Sequence, residues 1–257
     1  MMQAVQFTNS PVTRFHEAPI LPLRPSRCSG CSMRGLCVPS GLDDSAMQRL
    51  DRIMTRRRVA RGEVLFRMGE SFTNLYAIRL GHFKTHQVSS EGMEQITGFQ
   101  MAGELLGMDG IGADRHNCFA VALEDSEVCE IPFDQLEELF AEIPTLLRHF
   151  HRTMSQEITR EQSNMLLLGN MHAEQRFASF LLNLSALYKA RGYSSTSFQL
   201  RMSREDIGNY LGLTIESVSR LLSKFKKLEW INVDKREIQI SDLSKLKLVA
   251  MQATTTH

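Results

Sequence analysis

Apolar residues change their spacing along the chain, and the change separates two kinds of structure. Between residues 59 and 131, short alternating runs such as residues 75–78 and 95–99 are interrupted by glycines at roughly ten-residue intervals. Alternation of this kind is typical of half-buried strands, and glycine suits the turns between them. The pattern predicts an antiparallel β-roll or barrel in this part of the chain.

Helical spacing takes over after Pro132. Residues 133–140 predict a short helix, and Pro144 begins a much longer one, since proline is favoured in the first helical turn. Apolar positions of the long helix recur three or four residues apart, which is typical of a coiled-coil seam. The pattern predicts a dimerisation helix over residues 141–170, with a seam of Leu147, Phe150, Met154, Ile158, Glu161, Met165 and Leu168.

One position of this seam carries a charge. Two copies of Glu161 would face each other across the two-fold axis of a dimer, where like charges in a partly dry seam repel. We therefore interpret Ile158 and Glu161 as part of a dimer switch, in which the repulsion weakens the dimer. The alternative is that Glu161 tilts into water, or pairs with Arg160 or with an arginine of the partner.

Residues 204–221 have the pattern of a helix-turn-helix. Gly208 would let two helices approach closely, and Gly212 suits a left-handed turn residue. Thr214 is a good N-cap for the second helix, and residues 230–240 predict a hairpin wing. The inward positions of this winged helix-turn-helix are expected to be Ile207, Leu211, Leu213, Ile215, Val218, Leu221, Leu222 and Phe225.

The outward face of the second helix is suited to reading DNA. In a major groove, arginine contacts guanine, a carboxylate accepts from cytosine, and serine allows close approach. Eight cations and five anions between residues 201 and 236 give a local net charge of +3, which suits phosphate contact. The alternative is an ordinary solvated pair of Glu216 with Arg220. The candidate DNA-binding residues are Glu216, Ser217, Ser219, Arg220 and Lys224.

Three of the five cysteines, Cys28, Cys31 and Cys37, crowd into ten residues. Gly30 and Gly35 between them would let this segment wrap one metal centre. Soft sulfur ligands suit an iron–sulfur cluster or zinc, and the spacing does not decide between them. We therefore expect a metal site that needs one more ligand.

The fourth ligand has two candidates. Cys129 closes the last predicted strand, where it would join the cysteine segment to the roll and to the start of the dimerisation helix. It could equally be a small buried hydrophobe, as free cysteines often are. For Cys118, beside His116 and Asn117, simple burial is the favoured interpretation.

The composition indicates an ordinary globular protein, but it does not indicate what the protein binds. The 257 residues are 42% apolar and 23% charged, which is ordinary for a globular chain, and the formal net charge is +1. No apolar run approaches a membrane span and the N-terminus lacks the features of a signal peptide, so we expect a cytoplasmic chain that does not enter a membrane. In that reducing compartment, clustered cysteines indicate metal rather than disulfides.

We expect an α+β fold in four parts. A flexible N-terminal segment covers residues 1–27, the cysteine segment and β-roll cover 28–140, the dimerisation helix covers 141–170, and the DNA-binding domain covers 171–257. The sequence offers no nucleophile–base arrangement and no phosphate loop. An enzyme is therefore not expected.

These motifs resemble one protein family. Residues 28–250 are similar to the FNR (fumarate and nitrate reduction) branch of the cyclic-AMP receptor protein superfamily. The resemblance implies a β-roll of the cyclic-nucleotide-binding kind, a long dimerisation helix and a C-terminal winged helix-turn-helix. Its most specific segments are Cys28-x2-Cys31-x5-Cys37, residues 94–99 (EQITGF), residues 128–133 (VCEIPF) and residues 206–214 (DIGNYLGLT).

The resemblance implies a cofactor and a switch. Cys118 lies outside the family pattern. An acidic residue at the position of Glu161 is reported to keep the cluster-free form monomeric. The residues implied to bind an oxygen-labile 4Fe-4S cluster are Cys28, Cys31, Cys37 and Cys129.

The resemblance also implies partners. Glu216, Ser219 and Arg220 would read a TTGAT-type half-site, and a homodimer would bind the palindrome on double-stranded DNA. Loop 89–94 aligns with a surface that contacts RNA polymerase. Met93 stands where the family often carries an acidic residue, so this contact departs from the pattern.

The nucleotide pocket of the superfamily is also altered. Residues 103–107 resemble the start of a phosphate-binding cassette, but Arg115 is followed by His116 rather than by a hydroxyl residue. No cyclic nucleotide is therefore expected. Two alternatives remain: a cluster-free regulator of the same fold that senses nitric oxide or another ligand through haem, and a zinc-stabilised DNA-binding protein without a redox response.

Overall fold

The computed structural model describes residues 28–251, and the predicted flexible segment 1–27 lies outside the described residues. The predicted α+β fold is confirmed. In chain order the elements are α1 (Asp44–Ile53), β1 (Thr55–Val59), β2 (Val64–Phe66), β3 (Asn74–Leu80), β4 (His82–Val88), β5 (Glu94–Met101), β6 (Leu105–Leu106), β7 (Phe119–Ala122), β8 (Ser126–Pro132), α2 (Phe133–Glu142), α3 (Pro144–Asn170), α4 (Ala173–Ala190), β9 (Ser197–Gln199), α5 (Arg204–Leu211), α6 (Ile215–Lys227), β10 (Ile231–Asp234), β11 (Glu237–Ile240) and α7 (Leu243–Met251).

The β-roll consists of two four-stranded antiparallel sheets. Their strand orders are β1-β8-β3-β6 and β2-β7-β4-β5, so β8 lies inside the first sheet and β5 forms an edge of the second. Ile78, Phe83 and Val128 fill the interior with exposures of 1% or less. Burial on alternate sides of each strand explains the period-two pattern of the sequence.

The cysteine segment shares a hydrophobic core with the helices that follow the roll. Leu50 of α1, Leu75 of β3, Ile131 of β8 and Leu146 of α3 belong to one cluster, and each is 0% exposed. Cys28 is a member of the same cluster. Because such interiors are close-packed, a displacement of the cysteine segment is transmitted to the base of α3.

The seam of α3 begins inside this core and then leaves it. Phe150 is buried, whereas Ile158, Met165 and Leu168 are 57%, 67% and 38% exposed. A row of exposed apolar side chains on one helix face indicates an interaction surface. The helix begins at Pro144, as the proline predicted, and residues 141 and 142 of the predicted segment 141–170 are the last two residues of α2.

The turn between α5 and α6 brings these two helices close together. A Cβ atom on Gly208 would lie 2.7 Å from the carbonyl oxygen of Leu213, and Gly212 has a left-handed φ of +62°. Thr214 caps α6 by accepting a hydrogen bond from the amide of Ser217 at 3.2 Å. Glycine is therefore required at both positions, because a side chain would clash at the first and strain the backbone at the second.

One expectation fails in the DNA-binding domain, and one helix there was not predicted. The prediction that Ile215 faces inward is wrong, since its side chain is 45% exposed. Ile215 is the first residue of α6, and helical side chains point back toward the N-terminus, so this side chain extends beyond the surface that packs on α5. The apolar pattern also did not predict α7, which packs against α4 with Leu246 and Val249 buried.

Candidate metal centre and nucleic-acid interface

The four cysteines of the family motif line a single pocket, which lies between the cysteine segment and the first sheet of the roll. Cys129 lies in β8, directly between Arg56 of β1 and Ala77 of β3. The remaining cysteines of this pocket, Cys28, Cys31 and Cys37, come from the segment that covers the sheet. Residues separated by a whole β-roll in sequence therefore meet at one place.

Hydrogen bonds and packing hold the cysteine segment on three neighbouring elements. The amide of Cys28 donates to a carboxylate oxygen of Asp51 in α1 at 2.9 Å. Nε2 of His149 in α3 lies 3.2 Å from the carbonyl oxygen of Cys37. A Cβ atom on Gly103 would lie 3.1 Å from the Cβ atom of Leu36. The segment thus contacts α1, the dimerisation helix and the roll at once.

Burial determines the protonation of these thiols when no metal is bound. Desolvation raises the pKa of Cys37 to about 12 and that of Cys129 to about 11, although Arg56 opposes the second shift. Burial and a hydrogen bond to Asp51 also raise the pKa of Cys28. Because metals bind the thiolate form, binding of a metal by these cysteines would release protons.

Two arginines give the cysteine pocket unused hydrogen-bond donors. Arg56 and Arg79 line the pocket, and the Nε atom of each is buried without a hydrogen-bond partner among the described residues. Glu127 holds both guanidinium groups, with its Oε1 atom 2.7 Å from Nη1 of Arg79 and 3.7 Å from Nε of Arg56. Buried donors are costly when unpaired, so the pocket is suited to an anionic, hydrogen-bond-accepting occupant.

The four cysteines border a shared space rather than a single point. Within residues 28–251, no three His, Cys, Asp or Glu side chains form a group that could hold one metal ion. A mononuclear zinc site requires sulfurs that all lie about 2.3 Å from one atom. An iron–sulfur cluster spreads its ligands around several metal atoms, and four cysteines that border one pocket fit that class of cofactor.

Cys118 lies in a different place from the other cysteines. Its side chain is 8% exposed, and its Sγ atom lies 3.4 Å from Oδ2 of Asp109. It lines the cavity between the roll and α3, together with Glu157 and Glu161. The expectation of simple burial agrees with this position.

The same cavity corresponds to the altered nucleotide pocket. Its ionisable lining groups other than Cys118 are the carboxyls of Asp109, Glu157 and Glu161, which would repel a phosphate. Arg115 instead donates to the carbonyl oxygen of Gly69 at 2.8 Å. These charges favour the expectation that no cyclic nucleotide binds.

Glu161 has no ion pair among the described residues. Its neighbour Arg160 forms ion pairs with Glu104, at 3.4 Å, and with Glu157. Partial burial raises the pKa of Glu161, and Glu157 adds to the shift while Arg160 opposes it. The alternative of a direct pair with Arg160 is therefore not observed, and Glu161 is an exposed residue of α3 at the rim of that cavity.

The predicted DNA-reading residues occupy the accessible face of α6. Glu216, Arg220 and Lys224 are exposed, while Ser217 and Ser219 are half-buried. Hydrogen bonds from the backbone at the start of α6 and from Thr214 lower the pKa of Glu216. The face therefore presents a carboxylate, hydroxyls and a guanidinium in one row.

Two contacts at this face were not predicted. Nη1 of Arg204, the first residue of α5, lies 3.3 Å from the Ser219 hydroxyl, which adds a cation to the reading face. Lys224 forms an ion pair with Glu174 of α4, so its charge is already partly compensated. Helical spacing reveals only the neighbours within α6, and both contacts come from other helices.

Comparisons with known proteins support this architecture. Residues 175–249 match the model of the Crp-like helix-turn-helix domain, and residues 56–143 match that of the cyclic nucleotide-binding domain. The solved structure of FixK2 from Bradyrhizobium japonicum superposes with a TM-score of 0.72 at 27% identity, covering 78% of this chain and 99% of that one.

Curated relatives identify the family. The anaerobic regulatory protein of Haemophilus influenzae is 46% identical over 85% of this chain and 86% of its own length. The fumarate and nitrate reduction regulatory protein of Vibrio cholerae is 44% identical over 87% of this chain and 90% of its own length. Among residues 28–251, every helix is too short or too polar to span a bilayer. The chain thus belongs to the FNR-type regulators of the CRP/FNR family, which bind DNA as dimers and are not enzymes.

Proposed function

We propose that this chain is an oxygen-responsive transcriptional regulator whose four pocket cysteines hold a 4Fe-4S cluster. The observation that carries the proposal is the single pocket lined by Cys28, Cys31, Cys37 and Cys129. Relatives termed anaerobic regulatory protein and fumarate and nitrate reduction regulatory protein support the same physiological role. The bound cluster would be the group that reacts with oxygen. The protein would convert the loss of the cluster into a change of oligomeric state.

Charge and hydrogen bonding support this choice of cofactor. A 4Fe-4S core with four thiolate ligands carries a net negative charge, and the Nε donors of Arg56 and Arg79, which have no hydrogen-bond partner among the described residues, would compensate that charge. Glu127 would keep both guanidinium groups in position. The cysteines would bind iron, and the arginines would satisfy sulfur acceptors.

The connection to DNA binding runs through the base of α3. When the cysteine segment is ordered, it packs in the core that contains Leu146, and His149 holds the carbonyl of Cys37. This packing would stabilise a dimer that the paired Glu161 carboxylates destabilise. Because occupancy depends exponentially on free energy, a shift of a few kcal/mol changes DNA binding by orders of magnitude.

The proposed target is a palindrome of TTGAT-type half-sites that controls genes for growth at low oxygen. Glu216, Ser219 and Arg220 would read each half-site, and their shared accessible face on α6 supports this role. RNA polymerase is proposed as a further partner through loop 89–94, in which Met93 is 65% exposed.

Anaerobic iron and sulfide analysis tests the proposed cofactor. We expect about four irons and about four sulfides per protomer, with visible absorbance that bleaches when air is admitted. One zinc with no sulfide would contradict the proposal and favour the zinc-stabilised alternative. A haem spectrum would favour the sensor of nitric oxide or another ligand.

Replacing Arg220 with alanine is expected to weaken binding to the TTGAT-type site by about 1–3 kcal/mol, because a base-reading guanidinium is lost. It should also reduce discrimination against a site with one substituted base. Fluorescence anisotropy with both duplexes measures the two effects. As a control, Lys227→Ala removes the same charge from the far end of α6 and should weaken both sites equally. Unchanged discrimination by Arg220→Ala would contradict the assigned role.

A further inference from the structure

At one edge of the β-roll, backbone amide and carbonyl groups of strand β5 have no neighbouring strand among the described residues and lie next to the DNA-binding domain. Strand β5 is the last strand of its sheet, and Glu94 and Ile96 lie opposite Val88 and His86 of β4. The Ile96 amide and the Glu94 carbonyl both form hydrogen bonds to a side chain from outside the sheet. Exposed edges of this kind leave polar groups that need a partner.

The partner is Asn209 of α5, the first helix of the helix-turn-helix. Its Oδ1 atom accepts from the Ile96 amide at 2.6 Å, and its Nδ2 atom donates to the Glu94 carbonyl at 2.8 Å. The backbone carbonyl of Asn209 also accepts from Nε2 of Gln95 at 2.8 Å. One carboxamide therefore occupies the place that a neighbouring strand would take.

Two further contacts fix the same pair of elements. Nζ of Lys84 in β4 lies 2.9 Å from Oδ1 of Asp206 in α5, and this aspartate also forms the capping box of α5 with Ser203. The rings of Phe99 and Tyr210 meet edge to face at 5.1 Å. The docking of α5 thus combines directional hydrogen bonds, an ion pair and an aromatic contact.

We propose that Asn209 is a positioning residue that latches the helix-turn-helix onto edge strand β5, and that DNA binds tightly only when this latch is closed. The latch engages α5, while Glu216 and Arg220 of α6 stay exposed. A fixed orientation reduces the ordering cost that DNA binding must otherwise overcome. The proposal rests on the DNA binding of the family and not on the identity of the metal.

The specific chemistry of the carboxamide makes the latch testable. Alanine removes both hydrogen bonds, whereas aspartate keeps the acceptor for Ile96 and loses the donor to Glu94. The carboxamide of asparagine offers a donor and an acceptor side by side, which neither alanine nor aspartate does. Asn183→Ala, on the exposed surface of α4, is the matched control.

The test measures DNA affinity and backbone protection on the anaerobic full-length protein. For Asn209→Ala we expect at least about a fivefold loss of affinity, typical of coupling between parts of a protein, together with faster hydrogen exchange at the Ile96 amide. Asn209→Asp should lose affinity in the same direction, and Asn183→Ala should match the wild type. Iron content, sulfide content and dimer mass should not change in any variant.

Two outcomes would overturn the latch. The first is faster exchange at Ile96 with unchanged or tighter DNA binding, because the contact would then be incidental or inhibitory. The second is exchange at Ile96 that does not change in Asn209→Ala. If that variant fails to fold, Gln95→Ala removes the third contact, and Gln95 is an exposed residue. DNA affinity and hydrogen exchange at the Ile96 amide are then measured on Gln95→Ala and judged in the same way. Absence of iron from the wild type would contradict the proposed cofactor and leave this comparison intact.

Discussion

Cys129→Ser is expected to abolish cluster assembly and anaerobic DNA binding together. Cys129 lies on an interior strand of the roll, so its sulfur cannot be replaced by a neighbour on a mobile segment. Loss of a direct ligand should lower metal affinity by more than the about 10–100-fold that is typical when a residue hydrogen-bonded to a ligand is replaced. Iron and sulfide analysis, with anisotropy on the palindromic duplex under argon, measures both effects.

Cys118→Ser provides the matched control for this experiment. It makes the same sulfur-to-oxygen change at a buried cysteine, but Cys118 lies in the cavity beside Asp109 and does not line the cysteine pocket. It should retain iron, sulfide and DNA binding. A Cys129→Ser protein with full pigment would remove the basis of the proposed function.

Glu161→Ala is expected to make the cluster-free protein dimeric in air. The substitution removes the charge that would face its copy across the seam, while the exposed apolar residues Ile158 and Met165 remain. Sedimentation velocity should show a dimer, and DNA binding in air should rise with it. Glu138→Ala removes the same charge from the exposed surface of α2 and should stay monomeric. A monomeric Glu161→Ala protein would refute the switch.

The pH dependence of the cluster-free wild type gives a second test of the switch. Burial raises the pKa of Glu161, and a like charge across the seam would raise it further, so protonation favours the dimer. The dimer fraction should therefore increase as the pH falls toward that raised pKa. The groups that face this carboxyl are Glu157 and Arg160 on α3, Cys118 on the roll and Tyr210 on α5. Because Glu157 is retained in Glu161→Ala, the dependence must disappear in that variant if Glu161 is its source.

Local pattern was sufficient for most elements, although not for α7, and for one face of the DNA-binding helix. The helix over Pro144–Asn170 follows from apolar spacing, and the cap at Thr214 and the turn at Gly212 follow from residue type. Each depends on residues close in sequence, where periodicity carries the information. The prediction that Ile215 faces inward was wrong because the first residue of a helix does not follow the packing pattern of the middle of the helix.

The fold class, the family and the candidate metal-binding cysteines could be inferred from the order of residues alone. The surroundings of those cysteines became known only from the packing of the folded chain. Three features join residues far apart in the chain. They are the shared pocket of Cys129 with Cys28, Cys31 and Cys37, the unpaired donors of Arg56 and Arg79 at that pocket, and the hydrogen bonds of Asn209 to β5. Such contacts depend on how sheets and helices pack, and a pattern of neighbours along one strand or helix contains no information about the element that will lie against it.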